Sequence, residues 1–550
     1  MGMTKRWGMN VAVTIVVATS HLVACGRDDA PAPLEAEPAV AAETSLQAQP
    51  APHRGGPHCG PLGSPPPAGT VRLIAPLSGS LSSTNQPLLR WELGDGAEGA
   101  IVELCADRDC NRVIEHLAGT TSATPSRPLR ASRVFWRARA TREGRRTDSD
   151  ASSATWLLFL PSHTAPRTTA VGTRVDVNGD GFADFVTDDR VLLGGPRGLG
   201  RASLAMLPTR PNTTMTAGVA AGDVDGNGLT DVMRMDFLVP PAPLEPNWQP
   251  DLMLSNGTGF DVGVAEEALT LLGGINNMGP AGDLNGDGYG DLLATFYSPS
   301  TGAQVLTFYG SPIGLISGIA DPPLSGFLSY FGVDGDFDGD GFSDVVNISN
   351  GVPIVLAFGG TTPFLRTSPV AGTTGVPLAH VVPVLFDSNF DGFADLGYID
   401  PAEDALALLR GGPSGPSGVP FQTFLAGPCG SEICPDNTAE ATGDFNGDGL
   451  LDLILGRGNG DQAGFATELH LGVAGGTFDP NGTTLPVPFT ALVEQSRGGV
   501  GDVNGDGIDD VVVGVYADAV TDSVSPLVSV QVFTGSRRGL VPGPTIPLSP

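Results

Sequence analysis

Apolar residues in this chain come in short runs broken by glycine, proline and acidic residues. Outside the N-terminus, no stretch keeps the spacing of an amphipathic helix, so the pattern predicts many short strands joined by turns. Between Val71 and Pro161 the best strands are Pro87–Trp91, Ala100–Leu104, Val134–Arg139 and Ala154–Leu160. From His163 onward one plan recurs. A small apolar run such as Ala220-Ala221-Gly222 enters an acidic stretch, and a strand leaves it, as at Asp291–Tyr297, Asp452–Leu455 and Asp510–Val513. A second strand then ends on glycine, as at Ala303–Gly310, Pro353–Gly359, Ala405–Gly411, Thr467–Gly472 and Ser529–Gly535. A Gly-Leu turn (Gly198-Leu199, Gly314-Leu315, Gly539-Leu540) often precedes a last apolar run, giving about four strands per repeat.

The acidic stretch follows D-x-[DN]-x-[DN]-G-x-x-D and occurs seven times, starting at Asp176, Asp223, Asp283, Asp336, Asp387, Asp444 and Asp502. The starts lie 47, 60, 53, 51, 57 and 58 residues apart, a spacing that signals a repeat architecture. Side-chain oxygens at positions 1, 3 and 5, a carbonyl at 7 and a carboxylate at 9 suit a hard cation with six to eight oxygen ligands, Ca²⁺. Glycine at position 6 allows the positive φ that turns these oxygens inward. An EF-hand is excluded: position 12 is Thr187 or Val513 instead of glutamate, and the flanks read as strands. A dockerin-like module has shorter, helical repeats.

Composition sharpens the picture. The chain of 550 residues holds 60 acidic and 29 basic residues, a net charge of −31, which argues against a nucleic-acid partner. The seven loops concentrate 22 of the acids at ligand positions. Three or four carboxylates packed together repel one another at neutral pH, so the fold is expected to contain calcium, up to seven ions.

These loops and their flanking strands resemble the FG-GAP and VCBS repeats, which build the seven-bladed β-propeller of integrin α chains. The resemblance spans residues 163–550 and implies an all-β fold with Ca²⁺ held on one rim. The ligands it implies are Asp176, Asn178, Asp180 and Asp184; Asp223, Asp225, Asn227 and Asp231; Asp283, Asn285, Asp287 and Asp291; and Asp336, Asp338, Asp340 and Asp344. They continue with Asp387, Asn389, Asp391 and Asp395; Asp444, Asn446, Asp448 and Asp452; and Asp502, Asn504, Asp506 and Asp510. Backbone carbonyls would come from Phe182, Leu229, Tyr289, Phe342, Phe393, Leu450 and Ile508, whose apolar side chains are expected to pack into the blades. The fifth loop departs from the pattern, with Phe390 where the others have glycine at position 4, and is expected to be strained or to bind more weakly. Few residues precede Asp176, so residues 544–550 are expected to supply the last strand of the seventh blade.

At the N-terminus, Lys5 and Arg6 followed by an apolar run read as a secretory signal over residues 1–24. Leu22-Val23-Ala24-Cys25 resembles the lipobox of bacterial lipoproteins, which implies lipidation of Cys25 and, with Gly26 following, an outer-membrane or cell-surface location. The alternative is an ordinary signal peptide. Residues 25–69 are rich in proline and alanine and suit an extended, disordered tether. Residues 70–162, with three spaced tryptophans, resemble a fibronectin III-like β-sandwich. Cys105 with Cys110, and Cys429 with Cys434, are expected to form local disulfides in an exported protein, with Cys59 left over.

No zinc spacing, nucleophile elbow or phosphate loop is present, and acids committed to a metal are poor general bases. The chain therefore reads as a monomeric, lipid-anchored, non-catalytic binding or adhesion module for an extracellular protein or glycan. The alternatives are a calcium-dependent polysaccharide lyase or hydrolase, and a purely structural envelope protein.

Overall fold

The computed structural model describes residues 66–82, 84–130, 133–142, 145–146, 152–160, 175–200, 202–206, 208, 213–238, 247–262, 275–298, 302–325, 334–347, 354–364, 367–370, 384–400, 405–425, 438–457, 466–487, 491–493, 497–516 and 527–548. All of them belong to one compact unit, Gly60–Pro550; a second unit, Met1–Cys59, lies outside the described residues. The secretory signal, Cys25, Cys59, Cys429, Cys434 and the segment entering the first acidic loop also lie outside them. The named elements are all β-strands, and no helix among the described residues is long and apolar enough to cross a membrane.

The first strands form two antiparallel sheets. β1 (Val71–Ala75), β2 (Leu89–Leu93) and β5 (Ser122–Ala123) make one. The other contains β3 (Gly99–Cys105), β4 (Val113–Gly119), β6 (Arg133–Arg142), β7 (Arg145–Arg146) and β8 (Trp156–Phe159), with β6 pairing both β3 and β8. Strand alternation turns Leu89, Trp91, Val102, Leu104, Val134 and Trp136 into a shared core, where Trp136 and Trp156 meet edge to face at 5.8 Å. The other face of β6 and β8 is apolar too. Phe135, Leu157 and Phe159 cluster there with the Cys105–Cys110 disulfide. A strand apolar on both faces needs cover on both, and the acidic loops provide the second (below).

Apart from a short hairpin of Gly472–Val473 with Thr477–Phe478, the remaining strands fall into seven antiparallel groups, one per acidic loop. The first is Phe185–Val186, Arg190–Leu193 and Ala202–Ala205. The second (Thr213–Gly222, Asp231–Leu238, Asn247–Ser255, Phe260–Val262) and third (Ile275–Gly282, Asp291–Ser298, Gly302–Tyr309, Ile316–Ser325) are four-stranded and join through Trp248 and Ile275. The fourth (Asp334–Gly335, Asp344–Asn347, Val355–Ala357, Thr367–Pro369) and fifth (Val384–Phe386, Asp395–Asp400, Ala405–Leu409, Gln422–Leu425) repeat the plan. So does the sixth (Thr438–Gly443, Asp452–Arg457, Ala466–His470, Thr483–Leu485). The seventh is Ala491–Val493 and Val500–Gly501 end to end along Asp510–Tyr516, then Leu527–Thr534 and Val541–Pro547. Each acidic loop from the second onward joins the first strand of its group to the next.

A single four-stranded sheet has two faces to bury, and here the faces of successive groups share cores. Val177, Val191 and Val232 join the first group to the second, and Met233, Leu292 and Phe308 the second to the third. Leu293, Val305 and Val345 join third to fourth, and Leu356, Phe358 and Leu396 fourth to fifth. Leu406, Leu408 and Leu453 join fifth to sixth, and Phe445, Ile454 and Val511 sixth to seventh. Phe185, Leu192, Val503, Val512 and Val530 then join the seventh back to the first. Each fully buried side chain of this size is worth about 1.5–3 kcal/mol, so these seams are the main cohesion of the repeats.

The seam between the seventh and first groups brings Gly505 (φ +80°) against Phe182, where an added Cβ would lie 2.4 Å from the ring. Gly181 has φ +92° and open space around it. Gly181→Ala is therefore expected to cost only the left-handed conformation, about 1–2 kcal/mol. Gly505→Ala should cost a further 1–3 kcal/mol or so from overpacking. Denaturant unfolding of the two variants measures the difference, and equal losses would mean that this seam is not packed as described.

Candidate metal centres in the acidic loops

All seven loops are built by the same local hydrogen bonds. The residue at position 1 accepts, on its Oδ2, the N–H of the position-6 glycine: Gly181, Gly228, Gly288, Gly341, Gly392, Gly449 and Gly507, at 2.8–3.1 Å. These glycines all have φ between +84° and +92°, as the turn requires. The N–H of the position-7 residue donates to the side-chain oxygen at position 5, for example Tyr289 to Asp287 and Phe393 to Asp391, both 3.0 Å.

The ninth-position aspartates are the deepest. Asp184, Asp231, Asp291, Asp344, Asp395, Asp452 and Asp510 are all 0 % exposed. One oxygen of each takes the N–H of position 2, and the other takes an N–H at the end of the strand that pairs with its own. The second donor is Gly194, Ser255, Gly310, Gly359, Gly411, Gly472 or Gly535. This explains the glycine that closes that strand. A Cβ at Gly310 or Gly411 would lie 2.3–2.4 Å from the position-8 carbonyl of its own loop. In the second repeat Ser255 stands there instead, and its Oγ donates to that same carbonyl, Thr230 O, at 2.6 Å.

Neighbouring loops are also tied to one another. The position-1 carbonyl of one loop accepts the position-8 N–H of the next: Asp176 from Thr230, Asp223 from Gly290, Asp283 from Ser343, Asp336 from Ala394, and Asp444 from Asp509. Asp502 accepts from Ala183 in the same way, so the last loop is tied to the first. The position-7 side chains pack across these joins, against the position-4 glycine of the preceding loop: Leu229 on Gly179, Tyr289 on Gly226, Phe342 on Gly286, Phe393 on Gly339, Ile508 on Gly447. They were expected inside their own repeats; the seam claims them because glycine leaves the room there.

The two-sheet unit covers part of this loop surface. Arg133 Nη1 donates to Gly228 O at 3.1 Å, and Trp156 Nε1 to Gly286 O at 3.3 Å. The guanidinium of Arg108, carried on the disulfide-closed turn between Cys105 and Cys110, lies 3.7 Å from the Tyr289 ring centre, and that of Arg72 lies 5.1 Å from Phe342. A cleft of about 190 Å³ separates Pro76, Leu88 and Arg90 from Asp387, Phe390 and Asp391. None of these arginines carries a sequence motif that marks it as a loop partner.

The donor set fits a hard divalent cation. In the second loop, oxygens of Asp223, Asp225 and Asp231 lie within 4.8 Å of one another, and in the fourth loop those of Asp336, Asp338 and Asp340 do so. Asp223 Oδ1 is a buried carboxylate oxygen without a hydrogen-bond partner, an arrangement that is costly unless a cation completes it. Burial pushes Asp184 up to about 8, with Asp176 adding repulsion, and Asp452 and Asp510 up to about 7. Asp223 rises to about 7 through burial, although Arg108 pulls it down. Asp231, Asp291 and Asp344 are raised well above the usual carboxylate range, by burial first and by the other carboxylates of their loops second. Ca²⁺ would supply the counter-charge that these groups lack, with oxygen ligands from positions 1, 3, 5, 7 and 9.

Comparison with known proteins agrees with this local plan. Residues 437–471, which carry the sixth acidic loop and the three strands around it, match the FG-GAP repeat. No curated protein matches the chain. Among solved structures, the chain is similar to an Agrocybe aegerita lectin described as recognising non-reducing terminal N-acetylglucosamine. That similarity has a TM-score of 0.38 at 18% identity, covering 68% of this chain and 91% of the lectin.

A carboxylate whose folded pKa is raised destabilises the fold in its charged form. Stability from this source is present below the ordinary value of 3.8 and is lost as pH rises through the raised values near 7 and 8. In chelator, the melting temperature is expected to fall between about pH 5.5 and 8.5. In excess Ca²⁺ the trend should flatten or reverse, because the cation binds the deprotonated loops. A melt in chelator that rises over this range would contradict the buried-carboxylate account.

Proposed function

We propose that residues 163–550 form a seven-bladed, calcium-stabilised β-propeller and that the chain acts as a non-catalytic binding or adhesion module. Its oxygen-lined loops would hold Ca²⁺ on one rim, while a lipid on Cys25 would keep it at the outer membrane or cell surface. The observation that carries the reading is the cycle of shared cores, which runs through successive repeats and returns from the seventh to the first, with loop-to-loop hydrogen bonds at six of its seven joins. A propeller is the all-β architecture in which repeated four-stranded sheets meet face to face around a ring. The FG-GAP match at residues 437–471 supports the same assignment.

The proposed metal role is structural. Each ion would neutralise carboxylates at a seam, and at a thousandfold excess over its dissociation constant it would add about 4 kcal/mol of stability per site. Carboxylates already bound by backbone N–H groups are poorly placed to shuttle protons, which favours ligand capture over turnover. Specificity would lie in the loops on the rims, since these vary while the blade plan repeats.

Separate measurements test the metal, the ligand and the anchor. The mature chain should bind several Ca²⁺ ions, and its melting temperature should drop steeply in EGTA; no bound ions and an unchanged melt would remove the calcium propeller. On a glycan and extracellular-protein array in Ca²⁺, a ligand should be retained chemically intact and released by EGTA, whereas cleavage of the retained glycan would favour the enzyme. For the anchor, Cys25→Ser is expected to move the protein out of the membrane fraction.

A further inference from the structure

We infer that the fifth acidic loop takes no cation and that the guanidinium of Arg410 holds its ninth-position carboxylate instead. The inference rests on the calcium reading above and concerns the one loop that departs from it. Asp395 Oδ2 accepts three hydrogen bonds: from Ser388 N at 3.1 Å, from Ser388 Oγ at 2.9 Å and from Arg410 Nη1 at 2.9 Å. Its Oδ1 accepts Gly411 N at 2.9 Å. The corresponding carboxylates of Asp291 and Asp344 each take one backbone N–H per oxygen, which leaves lone pairs to aim at a metal. At Asp395 three donors crowd one oxygen, and a fixed positive charge already stands beside it.

The neighbouring residues fit the substitution. Position 2, apolar in the other six loops, is Ser388 here, and its single hydroxyl proton is shared between Asp395 and the carbonyl of Gly476, each 2.9 Å away. Position 4 is Phe390, held at φ +57°, a conformation the other loops give to glycine. Phe390 and Phe421 both pack against the core shared by the fifth and sixth groups, and the Arg410 guanidinium lies 3.7 Å from the Phe421 ring centre. Arg410 Nη2 then donates to Gly475 O at 3.1 Å and Gly476 O at 2.6 Å, in the turn between Gly472–Val473 and Thr477–Phe478 of the sixth group. One side chain thus neutralises the buried acid and ties the fifth group to the sixth, without metal.

The inference predicts how the calcium count responds to loop-specific substitutions. Equilibrium dialysis of the mature chain at saturating Ca²⁺ should give the same number of ions for Asp391→Ala as for the unchanged protein, while Asp340→Ala in the fourth loop should lose one. Alanine is needed because an amide at this position, Asn227, already stands among the expected ligands of the second loop. With both variants folded by circular dichroism, loss of one ion in Asp391→Ala would overturn the inference. No bound ion in any of the proteins would overturn the calcium reading itself. In EGTA, Arg410→Gln should lower the melting temperature by several degrees, and an unchanged melt there would remove the role assigned to Arg410.

Discussion

The constraint on which this structure depends is the burial of carboxylates at the joins between repeats. Seven aspartates with no exposed surface are each held by one backbone N–H from their own loop and one at the end of a neighbouring strand. Such a group fixes the chain firmly, because each oxygen specifies a donor, but it also places negative charge where water cannot screen it. Neighbouring aspartates in the same loop aggravate the charge. The loop geometry and the need for a counter-charge are therefore one problem: whatever neutralises the loop also holds the sheet's first three strands in register.

The repeat plan was legible in the sequence because it rests on strict local geometry. Glycine at position 6 marks a positive φ, and the glycine ending each third strand marks a carbonyl too close for a Cβ. Strand positions such as Asp291–Tyr297 and Ala405–Gly411 followed from short apolar runs and were found at Asp291–Ser298 and Ala405–Leu409. The seams were not legible. That Phe342 packs on Gly286, or that Ala183 donates to Asp502 O, depends on residues brought together from different repeats, and no spacing along the chain encodes it. The position-7 residues looked like core residues of their own repeats because apolar character reports burial without saying against what.

The arginines were hidden for a related reason. Arg72, Arg108 and Arg133 sit among strand and turn residues of the two-sheet unit and read as ordinary solvated charges, yet they reach Phe342, Tyr289 and Gly228 O. Their partners are an aromatic ring or a carbonyl on an acidic loop, so the attraction is partly to the loop's net charge. The apolar second face of β6 and β8 gave the sequence hint of this contact: Trp156-Leu157-Leu158-Phe159 lacks the alternation of a strand with one wet face.

The fifth loop shows how much a departure from a repeat can mean once its neighbours are known. Phe390 alone suggests a strained or weakened copy of the pattern, and the positive φ agrees with the strain. Ser388 and Arg410 change the interpretation, because both serve the same carboxylate and both reach the sixth group. A decayed loop would lose its ligands one at a time and keep no coordinated replacement. Here all the acids are retained, a guanidinium is added, and an aromatic residue takes the position that glycine holds elsewhere. Two chemistries can therefore satisfy the same buried charge: a diffusible cation, which makes a seam conditional on its surroundings, and a covalently tethered one, which makes it permanent.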